Sequence, residues 1–199
     1  MLLSEAEKKL NKINKNKAPI PSVNKGERGL WIEKQLGIKA NSKLNDFEDG
    51  ELKVFVEGET IAVTSLKHCL PLIFERIDRR VSYAESNVGK KLKNVLFVKF
   101  AKTGEFVKSY VFNAKKYSEL HYLLSEDYRY ICNEIRKRFY DDEKLETITG
   151  ENKLLQIRTK ASKGKNGRYT PLEYDGKILK DKYMAFYLTT EFTKKLAMN

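Results

Sequence analysis

The amino-acid sequence predicts one domain of the α/β (α+β) class, in which helices flank a mixed sheet. Leu52, Val54 and Val56 alternate with other residue types, and this period of two is typical of a strand. Val95 to Ala101 is a second, strongly apolar strand. Tyr117 to Phe139 is the longest helical segment, with leucines and isoleucines along one face. A length of 199 residues suits a single domain, and 41% hydrophobic residues can supply its core.

Two helices are predicted before the first strand. One runs from Ser4 to about Lys15, and the other runs from about Lys25 to Leu36. Asn24 is a suitable cap for the start of the second helix, and Gly37 is a suitable stop at its end. These residues set the predicted bounds of the second helix.

Glu33 on the second helix has only glycine and leucine neighbours one helical turn away. This small and apolar face indicates that its carboxylate points inward. A buried carboxylate is costly unless it is paired or bound to a metal ion. The sequence leaves both partners open, a metal ion or an ion pair with Arg28 or a nearby lysine.

Further strands and helices are predicted along the rest of the chain. Thr60 to Leu66 is expected to pair with the strand 51–57 across a turn at Gly58, so the middle of the chain predicts a mixed sheet of at least four strands. Ser86 to Lys93 is expected to be a basic loop. The other predicted elements are a helix from Leu70 to Arg80, strands from Phe106 to Phe112, Leu154 to Ile157 and Tyr183 to Leu188, and a closing helix capped by Thr190.

The charge of the chain indicates a polyanionic partner. The formal net charge is +12, and the segment from Lys153 to Arg168 has six basic residues and no acidic residue. Within it, Lys160, Lys163 and Lys165 are interspersed with glycine, which suits a flexible loop along a phosphate backbone. The alternative is a lysine bias spread over the whole surface, but the clustering favours nucleic acid.

Other features exclude several classes of protein. No apolar run approaches the ~18–20 residues that span a bilayer, and Met1 to Leu3 leads directly into a charged stretch rather than a signal peptide. Cys69 and Cys132 are far apart and form no CxxC motif. We therefore expect a cytoplasmic protein with buried free thiols, no zinc site and no membrane partner.

The stretch from Asp46 to Lys53 contains the parts of a metal-dependent phosphodiesterase. Asp49 and Gly50 mark a turn, after which Glu51 and Lys53 point to the same side of a strand. Asp46 can fold back toward Glu51, and two converging carboxylates suit Mg²⁺. Lys53 can position or deprotonate a water molecule, or neutralise a phosphate. The alternative is a solvated hairpin edge with ordinary surface charges.

Four separated stretches of this chain occur in the order, and with compatible spacing, of one nuclease family. They are Lys25-Gly26 with Ile32-Glu33 and Leu36-Gly37; Ser42-Lys43 with Asp46-Phe47 and Glu51-Leu52-Lys53; Ser86 and Val88 with Lys91-Leu92-Lys93 and Val95-Leu96; and Leu155-Gln156-Ile157-Arg158 with Lys160-Ala161, Phe186-Tyr187-Leu188 and Phe192-Thr193. From about residue 25 onward, the chain thus resembles the MutH family of DNA endonucleases and its restriction-enzyme relatives.

The resemblance implies a fold and an activity. The fold is that of restriction endonucleases, with a catalytic lobe at roughly residues 20–115 and a DNA-reading lobe at roughly 116–199 together with the N-terminal helix, around a DNA cleft. The activity is Mg²⁺-dependent cutting or nicking of double-stranded DNA, with Mn²⁺ able to substitute. The best-known members of the family act at GATC.

The resemblance also implies roles for single residues. The implied catalytic set is Asp46, Glu51, Lys53, Glu33 and Lys91, of which the three carboxylates bind the metal ion. The implied DNA-contacting set is Lys25, Arg158, Thr159, Lys160 and Tyr187, to which the basic loop adds Lys163, Lys165 and Arg168. Arg158 matches a base-reading arginine, which suits the O6 and N7 acceptors of guanine. Thr159 stands where the family has a proline, so the recognition sequence and its methylation dependence stay open.

The leading expectation is a type II restriction endonuclease that acts at GATC or a related site, as a monomer or a DNA-induced dimer. Such a system also implies a cognate DNA methyltransferase. One alternative is a mismatch-repair endonuclease that nicks one strand when a MutL partner activates it. The other is a basic DNA-binding module without catalysis, which would bind DNA but ignore Mg²⁺.

Overall fold

The computed structural model describes residues 1–15, 25–38, 45–75, 82–160, 163 and 167–198. These residues form a mixed α and β structure, which confirms the predicted class. They divide into two compact units. Unit 1 comprises Met1–Ile61 and Lys91–Tyr117, and unit 2 comprises Ala62–Lys90 and Ser118–Asn199.

Both units contain helices and strands. The helices are α1 (Leu3–Lys15), α2 (Lys25–Leu36), α3 (Leu70–Glu75), α4 (Asn87–Leu92), α5 (Ser118–Tyr140) and α6 (Thr190–Met198), with a 3-10 turn at Leu66–His68. The strands are β1 (Glu51–Val56), β2 (Ile61–Ser65), β3 (Asn94–Phe100), β4 (Phe106–Asn113), β5 (Ile148–Thr149), β6 (Leu155–Thr159), β7 (Leu172–Tyr174), β8 (Lys177–Lys180) and β9 (Met184–Leu188). Within the described ranges they form sheets in the orders β1-β3-β4, β2-β9-β6-β5 and β7-β8.

Unit 1 is built on the sheet β1-β3-β4. Strand β1 runs parallel to β3, and β3 runs antiparallel to β4. Since side chains alternate along a strand, Glu51 and Lys53 lie on one face of β1, whereas Leu52 and Val56 lie on the other. The Leu52 face packs in a buried cluster with apolar residues of α1 and α2. The alternation predicted for β1 is therefore confirmed.

In unit 2, helix α5 packs against the sheet β2-β9-β6-β5. Ile157 of β6 and Phe186 of β9 are paired in register, and both are fully buried. The ring of Tyr128 on α5 lies 5.5 Å from the ring of Phe186, measured between centroids. This face of the sheet and α5 thus form the apolar core of the unit, and the stripe predicted for the long helix is its core stripe.

Asp127 on α5 holds the loop that leads into β6. Its side chain is fully buried. Its Oδ1 atom accepts the N–H of Asn152 at 2.7 Å, and its Oδ2 atom accepts the N–H groups of Leu154 at 2.7 Å and Leu155 at 3.0 Å. Hydrogen bonds to the charged form compensate a carboxylate for the loss of water. Asp127 therefore fixes the start of β6 on the helix.

The pairing predicted for the second strand is wrong. Strand β2 exists, but its neighbour is β9 and not β1. A pattern of period two identifies a strand without identifying its partner, which is set by tertiary packing. The predicted central sheet of at least four strands is also wrong, because β1, β3 and β4 form a three-stranded sheet.

The basic loop predicted at Ser86 to Lys93 is wrong as well, since α4 forms there. The Oγ atom of Ser86 accepts the N–H of Gly89 at 2.9 Å, which caps the first turn. A Cβ atom on Gly89 would lie 1.9 Å from the carbonyl oxygen of Tyr83. Glycine is thus needed here for close backbone approach rather than for a loop.

The bounds of α2 and α6 agree with the prediction to within two residues, since the closing helix was expected to end at Leu196 and ends at Met198. The N–H of Ile38 donates to the carbonyl oxygen of Glu33 at 2.8 Å, and this bond ends α2 at Gly37 as predicted. Asn24 and residues 76–80 of the predicted third helix lie outside the described residues. The cap of α6 is Thr189 rather than Thr190, because the Thr189 Oγ1 atom accepts the N–H of Phe192 at 3.3 Å.

The two units differ from the lobes expected from the sequence. Helix α1 lies in unit 1, whereas we expected it with the C-terminal lobe. Residues 62–90 lie in unit 2, whereas we expected them in the catalytic lobe. Each unit therefore combines two segments that are separated in sequence, and no single point along the chain divides the units.

Two further predictions concern the thiols and the membrane. Cys69 and Cys132 are both free and buried, as predicted. Burial raises the pKa of each thiol to about 12, so both stay protonated near neutral pH. In the part of the chain that the structure describes, no helix is long and apolar enough to cross a bilayer.

Candidate active site

A tight turn places Asp46 beside the first residues of β1. The N–H of Phe47 donates to the carbonyl oxygen of Gly50 at 2.8 Å, and the N–H of Leu52 donates to the Asp46 Oδ2 atom at 2.9 Å. A Cβ atom on Gly50 would lie 2.6 Å from the carbonyl oxygen of Asn94 on β3. Only glycine lets the turn approach β3 so closely. The turn thus fixes Asp46 next to Glu51.

Glu51 is a buried carboxylate whose two oxygens have different surroundings. Glu51 is 2% exposed to solvent. Its Oε1 atom accepts hydrogen bonds from Lys53 Nζ and from Lys91 Nζ, the latter at 2.8 Å. Its Oε2 atom is buried and has no hydrogen-bond partner among the described residues. One oxygen of Glu51 therefore accepts from two lysines, while no described residue donates to the other oxygen.

The helix α4 explains how Lys91 reaches Glu51. Lys91 lies in the last turn of α4, immediately before β3, and β3 pairs with β1 along its whole length. The Lys91 and Lys53 side chains are 19% and 15% exposed, so both amines are partly shielded from water. The two lysines place cationic groups directly beside the carboxylate, where they can meet an anion such as a phosphate.

Glu33 belongs to the same electrostatic cluster. Its pKa is raised, first by burial and then by the negative charges of Asp46 and Glu51, while Lys53 opposes the rise. Glu33 makes no ion pair with Arg28 or with any other residue that the structure describes. Among the described residues the ion pair left open for Glu33 is thus not present, and the three carboxylates predicted as a set influence one another.

The donor set has the chemistry of a site for a hard cation. The described residues include no group of three or more His, Cys, Asp or Glu side chains in metal-binding geometry. Mg²⁺, however, is often bound through one or two carboxylates, with water and substrate phosphate as its other ligands. Asp46 and the partnerless Oε2 atom of Glu51 fit that requirement, and the charge of Glu33 interacts with both carboxylates.

The expected base-reading residues lie in unit 2. The Arg158 guanidinium on β6 stacks over the ring of Tyr187 on β9, with 5.3 Å between Cζ and the centroid. Burial raises the pKa of Tyr187, and the charge of Arg158 offsets part of that rise. Thr159 pairs with Met184 on the opposite face of the sheet, because successive side chains alternate. The structure thus brings Arg158 and Tyr187 together and separates Thr159 from them.

The ring of Tyr169, which follows the basic segment in sequence, lies near two lysines. The Nζ atoms of Lys163 and Lys182 lie 5.8 Å and 4.3 Å from the ring centroid of Tyr169. Arg168 and Lys160 are exposed beside them in sequence, and the Lys160 N–H donates to the Tyr183 carbonyl oxygen at 2.8 Å. Lys165 lies outside the described residues, as does the side chain of Lys25 at the start of α2.

Sequence reasoning missed three residues of unit 2 that share these surfaces. Tyr169 directly follows the basic segment and Lys182 lies shortly before β9, and only the fold brings Lys182 to the same ring as Lys163. Gln156 lies two residues before Arg158 on β6, so it faces the same side. The alternation of the strand was a signal that could have identified Gln156.

Comparison with known proteins leaves the residues themselves as the basis for function. No protein-family model matches the chain, and no curated protein shows significant sequence similarity to it.

Proposed function

We propose that this protein is a Mg²⁺-dependent, sequence-specific endonuclease of double-stranded DNA, acting as a type II restriction enzyme at GATC or a related site. The observation that carries the proposal is Glu51, a buried carboxylate with two lysines on one oxygen and no partner on the other within the described residues. Such an arrangement is costly for stability alone. It suits a site that binds a cation and a phosphate together.

Each residue of the cluster has a part in this proposal. Asp46 and Glu51 hold the metal ion, with Glu33 directly or through water. When bound, Mg²⁺ neutralises charge on the scissile phosphate and lowers the pKa of a coordinated water. Lys53 orients the attacking water or accepts its proton, and Lys91 binds a non-bridging phosphate oxygen. In-line attack of water at phosphorus breaks the bond to the 3′ oxygen, which leaves a 5′-phosphate and a 3′-hydroxyl.

The basic residues of unit 2 bind the same duplex in this proposal. Phosphate contacts from Lys160, Lys163 and Arg168 supply affinity without sequence information. Arg158, stacked on Tyr187, reads a guanine edge, a contact worth ~1–3 kcal/mol of discrimination against a wrong base. The architecture we propose is that of the restriction endonucleases, in which carboxylates at the start of a strand cut DNA that a second group of elements reads.

The experiment that tests the proposal is digestion of one plasmid in three states. It is prepared unmethylated, hemimethylated and fully adenine-methylated at GATC, and each form is incubated with Mg²⁺ and with EDTA. We expect Mg²⁺-dependent fragments that map to one sequence, without any partner protein. Fragments that appear with unmethylated DNA and with neither methylated form would indicate restriction and a cognate methyltransferase.

The other outcomes separate the alternatives. Weak nicking that a MutL protein stimulates would replace restriction by strand-specific repair. Tight binding without cutting in any lane would overturn the nuclease proposal and leave a DNA-binding module. A catalytically dead control, Glu51→Gln, excludes a contaminating nuclease.

A further inference from the structure

The exposed side of strand β6 carries more than the predicted arginine. Gln156 and Arg158 lie on one face, because they are two residues apart. In the register of the sheet, Gln156 pairs with Tyr187 of β9 and with Thr149 of β5, and Arg158 pairs with Ala185. These five residues form what we call the reading face. The opposite face of the same strands is the apolar core of unit 2.

The reading face is largely polar, and its side chains differ in their exposure to solvent. Arg158 and Thr149 are exposed, whereas Gln156 and Tyr187 are half-buried. Tyr187 lies under the guanidinium of Arg158, which fixes the direction of that side chain. The amide of Gln156 makes no hydrogen bond to another residue that the structure describes. A half-buried amide that has no hydrogen-bond partner among the described residues is available to a ligand, and it disfavours any ligand that cannot pair with it.

The surroundings of this face select an anionic ligand. The segment that contains it has six basic residues and no acidic residue between Lys153 and Arg168. Exposed Lys160 and Arg168 follow Arg158 in the chain. Arginine and glutamine are also the side chains whose forked donors and acceptors match purine edges. Arginine pairs with O6 and N7 of guanine, and glutamine pairs with N6 and N7 of adenine.

We propose that Gln156 is a specificity-determining residue that reads an adenine next to the guanine read by Arg158. This inference rests on the proposed function, since it assumes that unit 2 binds DNA by its base edges. Side chains two residues apart on a strand are about 7 Å apart at their Cα atoms, and both are long enough to converge on neighbouring base pairs. Ala185, which pairs with Arg158, is small and fully buried, so Arg158 is the exposed side chain at that register position.

Selection from a randomised duplex library tests the inference. The library is bound in Ca²⁺ in place of Mg²⁺, so that DNA is retained uncut, and the bound duplexes are sequenced. Wild-type protein is expected to select a motif that contains adjacent guanine and adenine. Gln156→Ala is expected to keep the guanine and to lose its preference for adenine at one position, by roughly 10- to 100-fold.

Two further variants make the result specific. Gln35→Ala removes the other glutamine of the chain, which is exposed on α2, and should select the wild-type motif. Gln156→Glu keeps the size of the side chain and presents acceptors only, so its preference should move from adenine toward cytosine, whose N4 amine is a donor. This second change keeps the test valid if Gln156→Ala unfolds. Replacing the selected adenine by 7-deazaadenine should weaken binding by wild type but not by Gln156→Ala.

The outcomes separate this inference from the proposed function. If both Gln156 variants select adenine as strongly as wild type does, the role of Gln156 is wrong while the sequence-specific nuclease stands. If wild-type protein selects no sequence at all, base readout fails, and both the inference and the sequence-specific part of the proposed function fall with it.

Discussion

Two buried carboxylates, Asp127 in unit 2 and Glu51 in unit 1, have different kinds of hydrogen-bond partners. Asp127 is surrounded by three backbone N–H groups that use both of its oxygens. Glu51 receives two lysines on one oxygen and has no described partner on the other. Both oxygens of Asp127 thus have hydrogen-bond partners within the chain, whereas one oxygen of Glu51 has none among the described residues.

This difference suggests how to separate structural from functional acids. A carboxylate that holds backbone N–H groups organises a loop, and its removal leaves those donors buried without partners. A carboxylate that is bound by lysines and lies beside further carboxylates belongs to a cluster of charges, and such clusters are typical of sites that bind ligands. Asp127 should therefore govern stability, and Glu51 should govern activity.

The largest expected effect is the loss of cleavage in Glu51→Gln. The amide keeps the size of the side chain and an oxygen for the lysines, but it is a poor ligand for Mg²⁺. We expect the rate of Mg²⁺-dependent plasmid cleavage to fall by ~100-fold or more. Urea unfolding of the same variant should show a smaller loss than Asp127→Ala does. A Glu51→Gln protein that cuts at the wild-type rate would remove the basis of the comparison.

Asp127→Ala should cause the largest loss of stability. Three N–H groups at the start of β6 lose their acceptor, and the free energy of unfolding should fall by roughly 3 kcal/mol or more. Urea unfolding followed by circular dichroism measures this loss. The purified folded fraction should still bind Mn²⁺ as wild type does, because Asp127 does not belong to the proposed metal site. A loss of less than about 1 kcal/mol would show that the loop does not depend on this side chain.

Glu33→Gln tests the comparison through the pH dependence of stability. The folded-state pKa of Glu33 is raised above its ordinary value of 4.5, so its ionisation opposes folding. Wild type therefore loses stability as the pH rises through the folded-state pKa, and the glutamine variant escapes that loss. In EDTA, the variant should melt at a higher temperature than wild type at pH 8, and the difference should shrink as the pH falls toward 4.5. A variant that is less stable at pH 8 would show that the Glu33 carboxylate has a stabilising partner.

The smallest effect is expected for Glu57→Gln, which serves as a matched control. Glu57 follows β1 and pairs with Lys99 at 2.5 Å, so it is also a glutamate bound by a lysine on the same sheet. The Lys99 hydrogen bond and charge lower the pKa of Glu57, but the glutamate is solvent-exposed. Exposed pairs are screened and contribute little. Cleavage rate and melting temperature should both match those of wild type, and a loss of cleavage would show that the assay responds to any change near β1.

The sequence predicted the elements whose signals are local. The alternation in β1, the glycine after α2 and the apolar stripe of α5 each depend on neighbouring residues, and each lies where it was expected. Pairing of distant segments was not predictable in this way. Strand β2 lies beside β9, and the short strands β5, β7 and β8 have too few residues to establish a period.

The candidate site shows the same limit. Asp46, Glu51 and Lys53 are close in sequence and were identified together. Lys91 and Glu33 were placed with them by family resemblance, and only the structure shows that Lys91 shares an oxygen of Glu51 with Lys53. The stretch Ser86 to Lys93 was misinterpreted as a loop, because a glycine such as Gly89 occurs both in loops and where backbones pack closely, and sequence alone does not distinguish them.

The most direct test of the central claim locates the metal ion itself. Fe²⁺ replaces Mg²⁺ in the folded protein, and ascorbate with peroxide generates radicals that cut the backbone next to the bound ion. Mass spectrometry of the fragments should place the cuts near Glu33, Asp46 and Glu51, and excess Mg²⁺ or the Glu51→Gln change should suppress them. Cuts at other positions, or a pattern that Glu51→Gln leaves unchanged, would contradict the assignment of Glu51 as a metal ligand.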